Sequence, residues 1–555
     1  MVSRLATVRE DEISGVPVLW VDSGRPTLAA SLVFRTGIVD ETLPTSGWTH
    51  LVEHLALRGR GGGALQVNGS TSLLRTTIDA HGPADAVEAF LEDATRWFAR
   101  PSFGSVHGER EVLRAEAAQR PRGAMATTLV QRFGAQGPGL VGFDEPGLRR
   151  ATPEHLLGLV RSAFTAGNAA LVLDGPPRAT TRLALPGGER RSVPPLPGGT
   201  GPFPAAHVLD SHVCCSGLVQ RGAAAGVLAD LLAGELRREL RDVAHGAYSP
   251  WSVYEPVAVD AAVVGAGSAV APSILPRVVD LVYGSVENLR RRGPDERALT
   301  AAVEAAAQRV RDPYNALSLA HMVAGTRLEG GATLEPEEHL EQLLRLTVDD
   351  VRAAAEVCAD SLVLGVPEGA VWKESMPVMG WRETRERPVG TTYRSLNAPG
   401  DRSALVVSDE VVAVGRRNRW RVVPFDEVAA VVAAPDGGRE VVSDAGRSIL
   451  VEPTLWRRGV AAVAKIDEAI PTALVIPHED RPATQVPAPA GAAARWSAVP
   501  YLASVVVALA AIGAVALSVR TGNIALISFS VIGALIAVTL VATKDRTPGG
   551  GSSGP

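Results

Sequence analysis

Cysteine is scarce in this chain, which has three cysteines among 555 residues. Two of them, Cys214 and Cys215, are adjacent in sequence, and the third is Cys358. An odd and sparse set does not form a disulfide framework, so we expect a reducing compartment and three small core residues. A basic surplus is missing too, because 55 lysines and arginines stand against 60 acidic residues, and this net charge of -5 predicts no nucleic-acid partner.

The first 30 residues lack the continuous apolar stretch of a secretory signal peptide, and they carry acidic residues at Glu10, Asp11 and Glu12. We therefore expect the N-terminal part of the protein to face the cytosol. The length of the chain allows about three or four domains at roughly 150 residues each. Early in the chain, two short apolar runs at 16–21 and 29–35 predict a pair of strands.

A short segment after these strands places two imidazoles and a carboxylate within five positions, in the order His50, Glu53, His54. On a helix, residues three and four positions apart share one face, so both imidazoles can reach one metal ion while Glu53 points into the same space. A zinc hydrolase needs this combination, because its ligands leave one position open for water and a carboxylate takes a proton from that water. The order HxxEH is the inverted form of the zincin motif.

A third protein ligand has to come from elsewhere in the chain. The segment 107–120 is rich in strong helix formers, and its Glu109 and Glu116 are seven positions apart, so they face the same way. Glu116 can complete the ligand set, with Glu109 behind it. Taken alone, two glutamates at this spacing are also typical of a solvated helix face.

Two stretches of the sequence resemble the zinc segments of the pitrilysin and insulinase family of metallopeptidases, which includes the mitochondrial processing peptidase. They are GIVDETLPTSGWTHLVEHLALRG at 37–59 and EREVLRAE at 109–116. The resemblance implies a zinc metalloendopeptidase in which a carboxylate activates a zinc-bound water. The roles that it implies are His50, His54 and Glu116 as zinc ligands, Glu53 as the base, and Glu109 as a supporting carboxylate outside the ligand set.

The run VNGSTS at 67–72 falls where this family has an edge strand that pairs with extended substrate. The resemblance therefore implies that Asn68 and Gly69 bind substrate. Two features depart from the family pattern: only 62 positions separate His54 from Glu116, and Leu57 stands where an aromatic residue is usual. The shortening concerns the size of the substrate cleft and removes no ligand.

A stretch dense in proline and glycine at 183–204 is typical of a linker between the catalytic domain, 1–182, and a second, zinc-free domain at 205–385. Within the second domain, the sequence resembles the family's stretch that contributes an arginine and a tyrosine seven residues apart, here Arg241 and Tyr248. The resemblance implies that they hold the scissile carbonyl and stabilise the oxyanion. From the pattern alone, a helix-terminal arginine and a core tyrosine are the alternative.

Short β-rich runs with polar turns fill the segment 395–480 and end in one helical run at 454–469. This texture resembles a small pleckstrin-homology-like barrel, a shape common next to membranes. Four arginines in one run are candidates to face anionic headgroups, and a solvated hairpin is the alternative. They are Arg416, Arg417, Arg419 and Arg421.

The C-terminal part contains two long apolar segments without a charge, 498–519 and 524–543. Each has the roughly 20 residues needed to cross the hydrocarbon layer, so the region 498–543 predicts two transmembrane helices; a buried helical hairpin is the alternative. A Pro/Ala linker at 481–497 precedes them and a flexible tail at 544–555 follows. The basic residues outside the hairpin outnumber the one in its loop, which favours both ends in the cytosol. They are Arg495, Lys544 and Arg546 outside, and Arg520 in the loop.

Together these observations predict an α+β protein with two homologous α/β metallopeptidase-type domains, a β-rich domain and a transmembrane hairpin. The expected function is that of a membrane-anchored zinc-dependent endopeptidase acting on peptides or protein segments. The resemblance implies an assembly of four such domains that encloses a chamber, and this chain supplies two of them. We therefore expect a homodimer or a heterodimer with a homologous subunit. A non-catalytic peptidase-like scaffold at the membrane is the alternative, whereas a structural zinc site fits poorly because no cysteine lies near the motif.

Overall fold

The computed structural model describes residues 7–119, 123–209, 212–243, 247–271, 274–368, 370, 376–381, 383–397 and 400–489. At 241–243, 247–249 and 270 it describes the backbone only. Both predicted transmembrane segments and the C-terminal tail lie outside these ranges. Within the described ranges, none of the helices combines the length and the apolar character that a membrane span requires.

The first domain is built on a six-stranded mixed sheet whose strands run in the order β1-β2-β6-β3-β5-β4. They are β1 (Arg9–Ile13), β2 (Val16–Val21), β3 (Leu28–Phe34), β4 (Gln66–Thr71), β5 (Thr76–Gly82) and β6 (Ala169–Asp174). The prediction that β2 and β3 pair with each other is wrong, because β6 lies between them and pairs with both. All six residues of β6 are buried, as expected of a central strand that arrives from far along the chain.

Five helices complete the first domain, and several of them cover one face of this sheet. They are α1 (Trp48–Leu57), α2 (Ala84–Ala99), α3 (Val106–Gln119), α4 (Ala124–Phe133) and α5 (Pro153–Ala163). The rings of Phe34, Phe98 and Phe164 pack together in the core, with centroids 5.0–5.1 Å apart. Leu51 and Leu55 of α1 are buried in the same core, which fixes the helix on the sheet.

The second domain repeats this arrangement with a five-stranded sheet in the order β7-β11-β8-β10-β9. Its strands are β7 (Ala205–Leu209), β8 (His212–Gln220), β9 (Ala247–Pro256), β10 (Ala261–Val270) and β11 (Val363–Pro367). Its helices are α6 (Ala223–Val243), α7 (Leu275–Arg292), α8 (Glu296–Arg311), α9 (Ala316–Glu329), α10 (Pro336–Leu344) and α11 (Val348–Asp360). In both domains a helix directly precedes an edge strand along the chain: α1 precedes β4, and α6 precedes β9.

The two domains share a core. Helix α9 of the second domain packs on β2 and β6 of the first domain, on the sheet face opposite to α1. Leu19 and Val172 from the sheet and Leu319 and Val323 from α9 belong to this common cluster of buried residues. The segment predicted as a linker, 183–204, contains no helix or strand.

The third unit has two β-sheets that share a buried core with one helix, α12 (Gly459–Ala469). One sheet contains β12 (Glu383–Thr384), β13 (Thr391–Arg394), β14 (Ala404–Val407), β15 (Val411–Arg416) and β16 (Arg419–Pro424). The other contains β17 (Val428–Ala433), β18 (Arg439–Ser443), β19 (Ser448–Val451) and β20 (Val475–Pro477). The sequence predicts that the third unit begins at position 395. Its first strand begins earlier, at Glu383, because β12 joins the edge of the first of these sheets. The pleckstrin-homology likeness stays a prediction.

The β15–β16 hairpin carries the four arginines that were candidates for headgroup contact. Two of them share one carboxylate: Nε of Arg419 donates to Glu383 over 2.6 Å, and Nε of Arg421 lies 3.7 Å from the same group. The arginines are exposed. Their contact with lipid stays a prediction.

The third unit packs directly on the first domain. Leu43 and Leu140 of the first domain share a buried cluster with Val442 and Ile476 of the third unit. The backbone N–H of Ala135 donates to the carbonyl of Asp444 over 2.8 Å. In addition, Nη2 of Arg114 on α3 donates to Glu479 over 2.7 Å, so the third unit contacts the helix that carries Glu109 and Glu116.

Candidate active site

Helix α1 begins at a tightly packed corner. Gly47 precedes the helix with φ of 86°, in the left-handed region that favours glycine, and a Cβ atom there would lie 2.8 Å from Cβ of Glu145. The carboxylate of Glu41 accepts the backbone N–H groups of Gly47 and Thr49 over 2.8 and 2.7 Å. A negative group therefore caps the positive end of the helix. Burial raises the pKa of Glu41 to about 7, and these two N–H groups oppose that rise.

The side chains of His50, Glu53 and His54 converge on one side of α1. The imidazole centroids of the two histidines are 4.9 Å apart, with an angle of 86° between the rings. One ligand atom of each of the three residues lies within 4.8 Å of the others. Within the described ranges, these three form the one histidine, cysteine and carboxylate group compact enough to hold a metal ion.

A carboxylate from a distant loop contacts His50. Oε1 of Glu145 lies 2.9 Å from Nδ1 of the imidazole. Glu145 has φ of 48° and ψ of 52°, a left-handed conformation that costs a non-glycine residue about 1–2 kcal/mol. In metalloenzymes a carboxylate on one ring nitrogen fixes the tautomer and the orientation of the ring, so that the other nitrogen binds the metal.

Helix α3 brings both predicted glutamates to His54, one at each ring nitrogen. Oε2 of Glu109 lies 3.4 Å from Nδ1, and Oε1 of Glu116 lies 3.8 Å from Nε2. Glu109 also accepts a hydrogen bond from Nη1 of Arg58 over 3.0 Å. Glu116 therefore approaches on the side of His54 opposite to Glu109, although its carboxylate lies outside the compact group of three.

Glu53 is buried between α1 and the edge strand β4, with 3% of its surface exposed. Oγ1 of Thr71 donates to Oε2 of Glu53 over 2.8 Å. A Cβ atom on Gly69 would overlap the Glu53 carboxylate and lie 2.7 Å from Leu57, so only glycine allows the strand to pass this closely. Burial raises the pKa of Glu53, and the neighbouring His50 opposes that rise.

The residues present fit a zinc ion. Imidazole nitrogens and carboxylate oxygens are its usual donors, and a site with three protein ligands leaves a position for water or substrate. Three further carboxylates contact the two imidazoles and would offset the charge of a cation held there. They are Glu109, Glu116 and Glu145.

The predicted substrate-binding residues lie on β4, and one of them, Gly69, lies against Glu53. Asn68 is exposed and lies opposite Asp79 of β5. Among the described strands, β5 is the one partner of β4, so the outer edge of β4 is open to an added strand. The backbone of Arg241 belongs to α6 and that of Tyr248 to β9, whereas their side chains are outside the described part of the chain.

Sequence reasoning missed three residues of this site: Glu41, Thr71 and Glu145. Thr71 belongs to the run that was assigned to the edge strand, and its alternation with Gly69 puts both on the face toward α1. Glu41 precedes the start of α1 by seven positions, which is compatible with a capping role. No local sequence pattern around Glu145 indicates a role at the site, because its partner, His50, is 95 positions away.

Neither a protein-family model nor a curated protein sequence matches the chain. The fold does match solved structures. A protease from Helicobacter pylori aligns with a TM-score of 0.55 and 15% identity, over 66% of this chain and 100% of that one. A peptidase M16 inactive domain from Pseudomonas fluorescens aligns with a TM-score of 0.55 and 16% identity, over 67% and 99%. The first half of the periplasmic protease PqqL from Escherichia coli aligns with a TM-score of 0.50 and 13% identity, over 65% and 92%.

About two thirds of the chain therefore has the mixed α/β fold of the M16 peptidases. The predicted resemblance to the pitrilysin and insulinase family, which is the M16 family, is confirmed at the level of the fold. The identities of 13–16% carry no statement about activity. One of the three similar structures is an inactive domain, so the peptidase fold occurs with and without catalysis.

Proposed function

We propose that the protein is a membrane-anchored zinc-dependent endopeptidase that hydrolyses peptides or protein segments. The observation that carries this proposal is the convergence of His50, Glu53 and His54 within 4.8 Å, with Glu116 approaching Nε2 of His54 from a second helix. A fold shared with M16 peptidases supports the proposal at the level of the fold.

His50, His54 and Glu116 would hold a zinc ion, which would provide Lewis-acid chemistry at this site. Glu53 takes the proton of the attacking water and later delivers it to the leaving amine. The hydrogen bond from Thr71 holds the Glu53 carboxylate at one position, close to the backbone of Gly69. The Glu145 carboxylate keeps the His50 ring oriented.

An extended peptide would bind along the outer edge of β4, as an added strand. Backbone hydrogen bonds then supply affinity, and alternate side chains enter pockets that supply selectivity. Because Gly69 of this strand lies against Glu53, a peptide bound along β4 would run past the carboxylate. Arg241 and Tyr248 are the proposed partners of the scissile carbonyl and of the oxyanion.

We further propose that two such units assemble, as a homodimer or as a heterodimer with a homologous subunit. The described part of the chain contains one domain with the zinc-site residues and one domain without them. The Helicobacter pylori and Pseudomonas fluorescens structures are matched over 100% and 99% of their lengths, so the chain carries one complete unit of this size. Closing a chamber around a peptide would need a second unit.

The membrane anchor is proposed from sequence, on the two apolar segments 498–519 and 524–543. Eight residues, 490–497, separate the last described residue from the first apolar segment. Even fully extended, a linker of this length spans about 30 Å. The third unit and the peptidase domains would therefore work close to the membrane surface, on its cytosolic side.

A non-catalytic peptidase-like scaffold is the second candidate, and two observations favour it. One of the similar structures is an inactive domain. In addition, Glu116 lies 3.8 Å from His54 without joining the compact group of ligand atoms. This candidate predicts that peptides bind along β4 and are released intact.

The two candidates are separated by one experiment on the purified full-length chain in detergent. Bound zinc is measured by elemental analysis, and cleavage of a mixed peptide library is measured by mass spectrometry for the native protein and for Glu53→Gln. Glu111→Gln is the matched control, because Glu111 lies on α3 and pairs with Arg114 outside the site. The rate of cleavage should fall by about 100-fold or more in Glu53→Gln and should stay at the native level in Glu111→Gln. Equal cleavage by native protein and Glu53→Gln, or intact peptides with every form, would refute the peptidase proposal.

A further inference from the structure

The zinc-free domain contains a cavity of about 1080 Å³ between α6, β9, α8, α9 and α10. Its size slightly exceeds the usual range for small-molecule sites, roughly 300–1,000 Å³. The exposed lining residues Asp260, Ser318 and Ala332 connect the cavity to solvent. The zinc-site residues do not line it, so a ligand bound here would occupy a separate site.

Two arginines that line the cavity share a single carboxylate. Arg221 pairs with one oxygen of Glu329, and Nε of Arg75 lies 3.2 Å from the other oxygen. The Glu329 side chain has no exposed surface, so it is inaccessible to a ligand, whereas the two arginines reach the cavity. Two guanidinium charges against one carboxylate leave a positive charge at this end, and a guanidinium group does not lose its proton.

The other acidic groups nearby do not cover the two guanidinium groups from the cavity. Glu255 lies near Arg75 but does not line the cavity. Asp230 is paired with Arg309. Asp260 is exposed to water, where its field is screened.

Neutral hydrogen-bonding groups lie around the same cavity. Burial lowers the pKa of His321 to about 4 and also lowers the pKa of His339, so both imidazoles are uncharged at pH 7. The hydroxyl oxygen of Tyr254 accepts the backbone N–H of Gly222 over 3.2 Å, and its own proton can be donated to a ligand. The lining therefore offers a fixed positive charge and additional uncharged donors.

Apolar side chains form much of the remaining wall, among them Val227, Val310, Leu319, Val323, Leu334 and Leu343. Helix α6 faces the cavity with Gly226, where an added Cβ atom would have no heavy atom within 4 Å. A larger side chain at position 226 would therefore extend into the cavity without a steric clash at its Cβ atom.

We propose that this cavity binds an amphiphilic carboxylate, with its head group on Arg75 and Arg221 and its apolar chain along α6, α9 and α10. A carboxylate matches the planar donors of a guanidinium group. It would also be a second anionic partner for the two arginines, which otherwise share Glu329. A cationic amphiphile would meet repulsion at the same place. A neutral one would leave the two arginines with Glu329 as their shared carboxylate, and it would gain only the apolar contacts.

The test uses the full-length chain reconstituted in lipid nanodiscs and a photoreactive dodecanoate that carries a diazirine in its chain. After illumination, labelled peptides are mapped by mass spectrometry, which separates labelling of the cavity from labelling of the lipid-embedded part. Dodecanoate, dodecan-1-ol and dodecylamine serve as competitors. The variant Gly226→Leu fills the cavity, and Gly158→Leu is the matched control on the exposed face of α5, where an added Cβ atom also has open space.

We expect labelling within Gly222–Asp230 and Ser318–Thr326, reduced about tenfold by Gly226→Leu and unchanged by Gly158→Leu. Dodecanoate should compete at least about tenfold better than dodecan-1-ol, which corresponds to one charge-assisted contact, and dodecylamine should compete least. Labelling that Gly226→Leu leaves intact would refute the site. Equal competition by the acid and the alcohol would refute its preference for a carboxylate.

Discussion

Nδ1 of His50 lies 2.9 Å from Oε1 of Glu145, and Glu145 adopts a left-handed backbone conformation to reach it. The loop that carries Glu145 also packs against Gly47 at the start of α1. Two contacts of Glu145 therefore join a distant loop to α1, one at the beginning of the helix and one at its first histidine. Conformational strain at a residue that contacts a candidate ligand is typical of a functional site.

Replacing Glu145 should weaken zinc binding without removing a ligand. Residues that orient ligating histidines typically change metal affinity by about 10–100-fold, so we expect Glu145→Ala to raise the Kd for zinc by that factor. Competition with a chromogenic chelator measures the Kd. Glu92→Gln, an exposed change on α2, is the control and should have no effect. An unchanged Kd in Glu145→Ala would show that the contact is structural only.

Removing Glu116 should affect zinc binding more strongly than removing Glu109. Glu116 faces Nε2 of His54, where it would act as a ligand, whereas Glu109 faces Nδ1 and also Arg58. We expect Glu116→Gln to bind zinc at least about tenfold more weakly than Glu109→Gln. The same chelator competition measures both variants. The reverse order would exchange the roles that we propose for these two carboxylates.

A side chain at position 69 should impair catalysis while zinc stays bound. The Cβ atom of Gly69→Val would overlap the Glu53 carboxylate and force it away from its hydrogen bond with Thr71. Displacing a catalytic group by about 1 Å lowers the rate by roughly 100-fold, so kcat should fall by that order. Ser70→Ala, the next residue on the same strand and exposed, should keep native kcat. Zinc content, measured in parallel, should equal that of the native protein.

Buried His207 should make the protein less stable as the pH falls. Burial lowers its pKa from 6.5 to about 4. The unfolded chain therefore takes up the proton first, and the stabilising contribution that is present above pH 6.5 is lost as the pH falls toward 4. Between pH 7 and pH 4.5 this residue alone should lower the free energy of unfolding by about 2–3 kcal/mol.

The measurement for His207 is urea unfolding at both pH values, followed by tryptophan fluorescence. His207→Gln cannot take up the proton, so its loss of stability between the two pH values should be smaller by about 2–3 kcal/mol. The exposed His107→Gln should behave like the native protein. If His207→Gln loses as much stability as the native protein, the residue is not buried and neutral as described.

The contact between the third unit and the first domain should contribute to stability. Ile476 is fully buried in the cluster that joins them, so Ile476→Ala should lower the free energy of unfolding by about 2–5 kcal/mol. The control, Leu450→Ala, removes an aliphatic side chain of the same unit that is 55% exposed. It should change the free energy of unfolding by less than about 0.5 kcal/mol. Urea unfolding distinguishes the two variants, and equal losses would argue against docking through this cluster.

Local patterns in the sequence determined the elements of the candidate site. Spacings of three and four put His50, Glu53 and His54 on one face of α1, because helical periodicity depends only on neighbours along the chain. The same rule aligned Glu109 with Glu116 on α3, and both glutamates reach His54 in the structure. The edge strand at VNGSTS, in contrast, was expected only from the family resemblance.

Contacts between distant parts of the chain were decided by the tertiary structure alone. Glu145 reaches His50 across 95 positions, and β6 enters between β2 and β3 from far along the chain. The pairing of Arg75 from the first domain with Glu329 from the second, which defines the charged end of the cavity, has the same origin. A sequence pattern records periodicity within one element, whereas these contacts depend on how elements pack, which the buried surface of the whole chain determines.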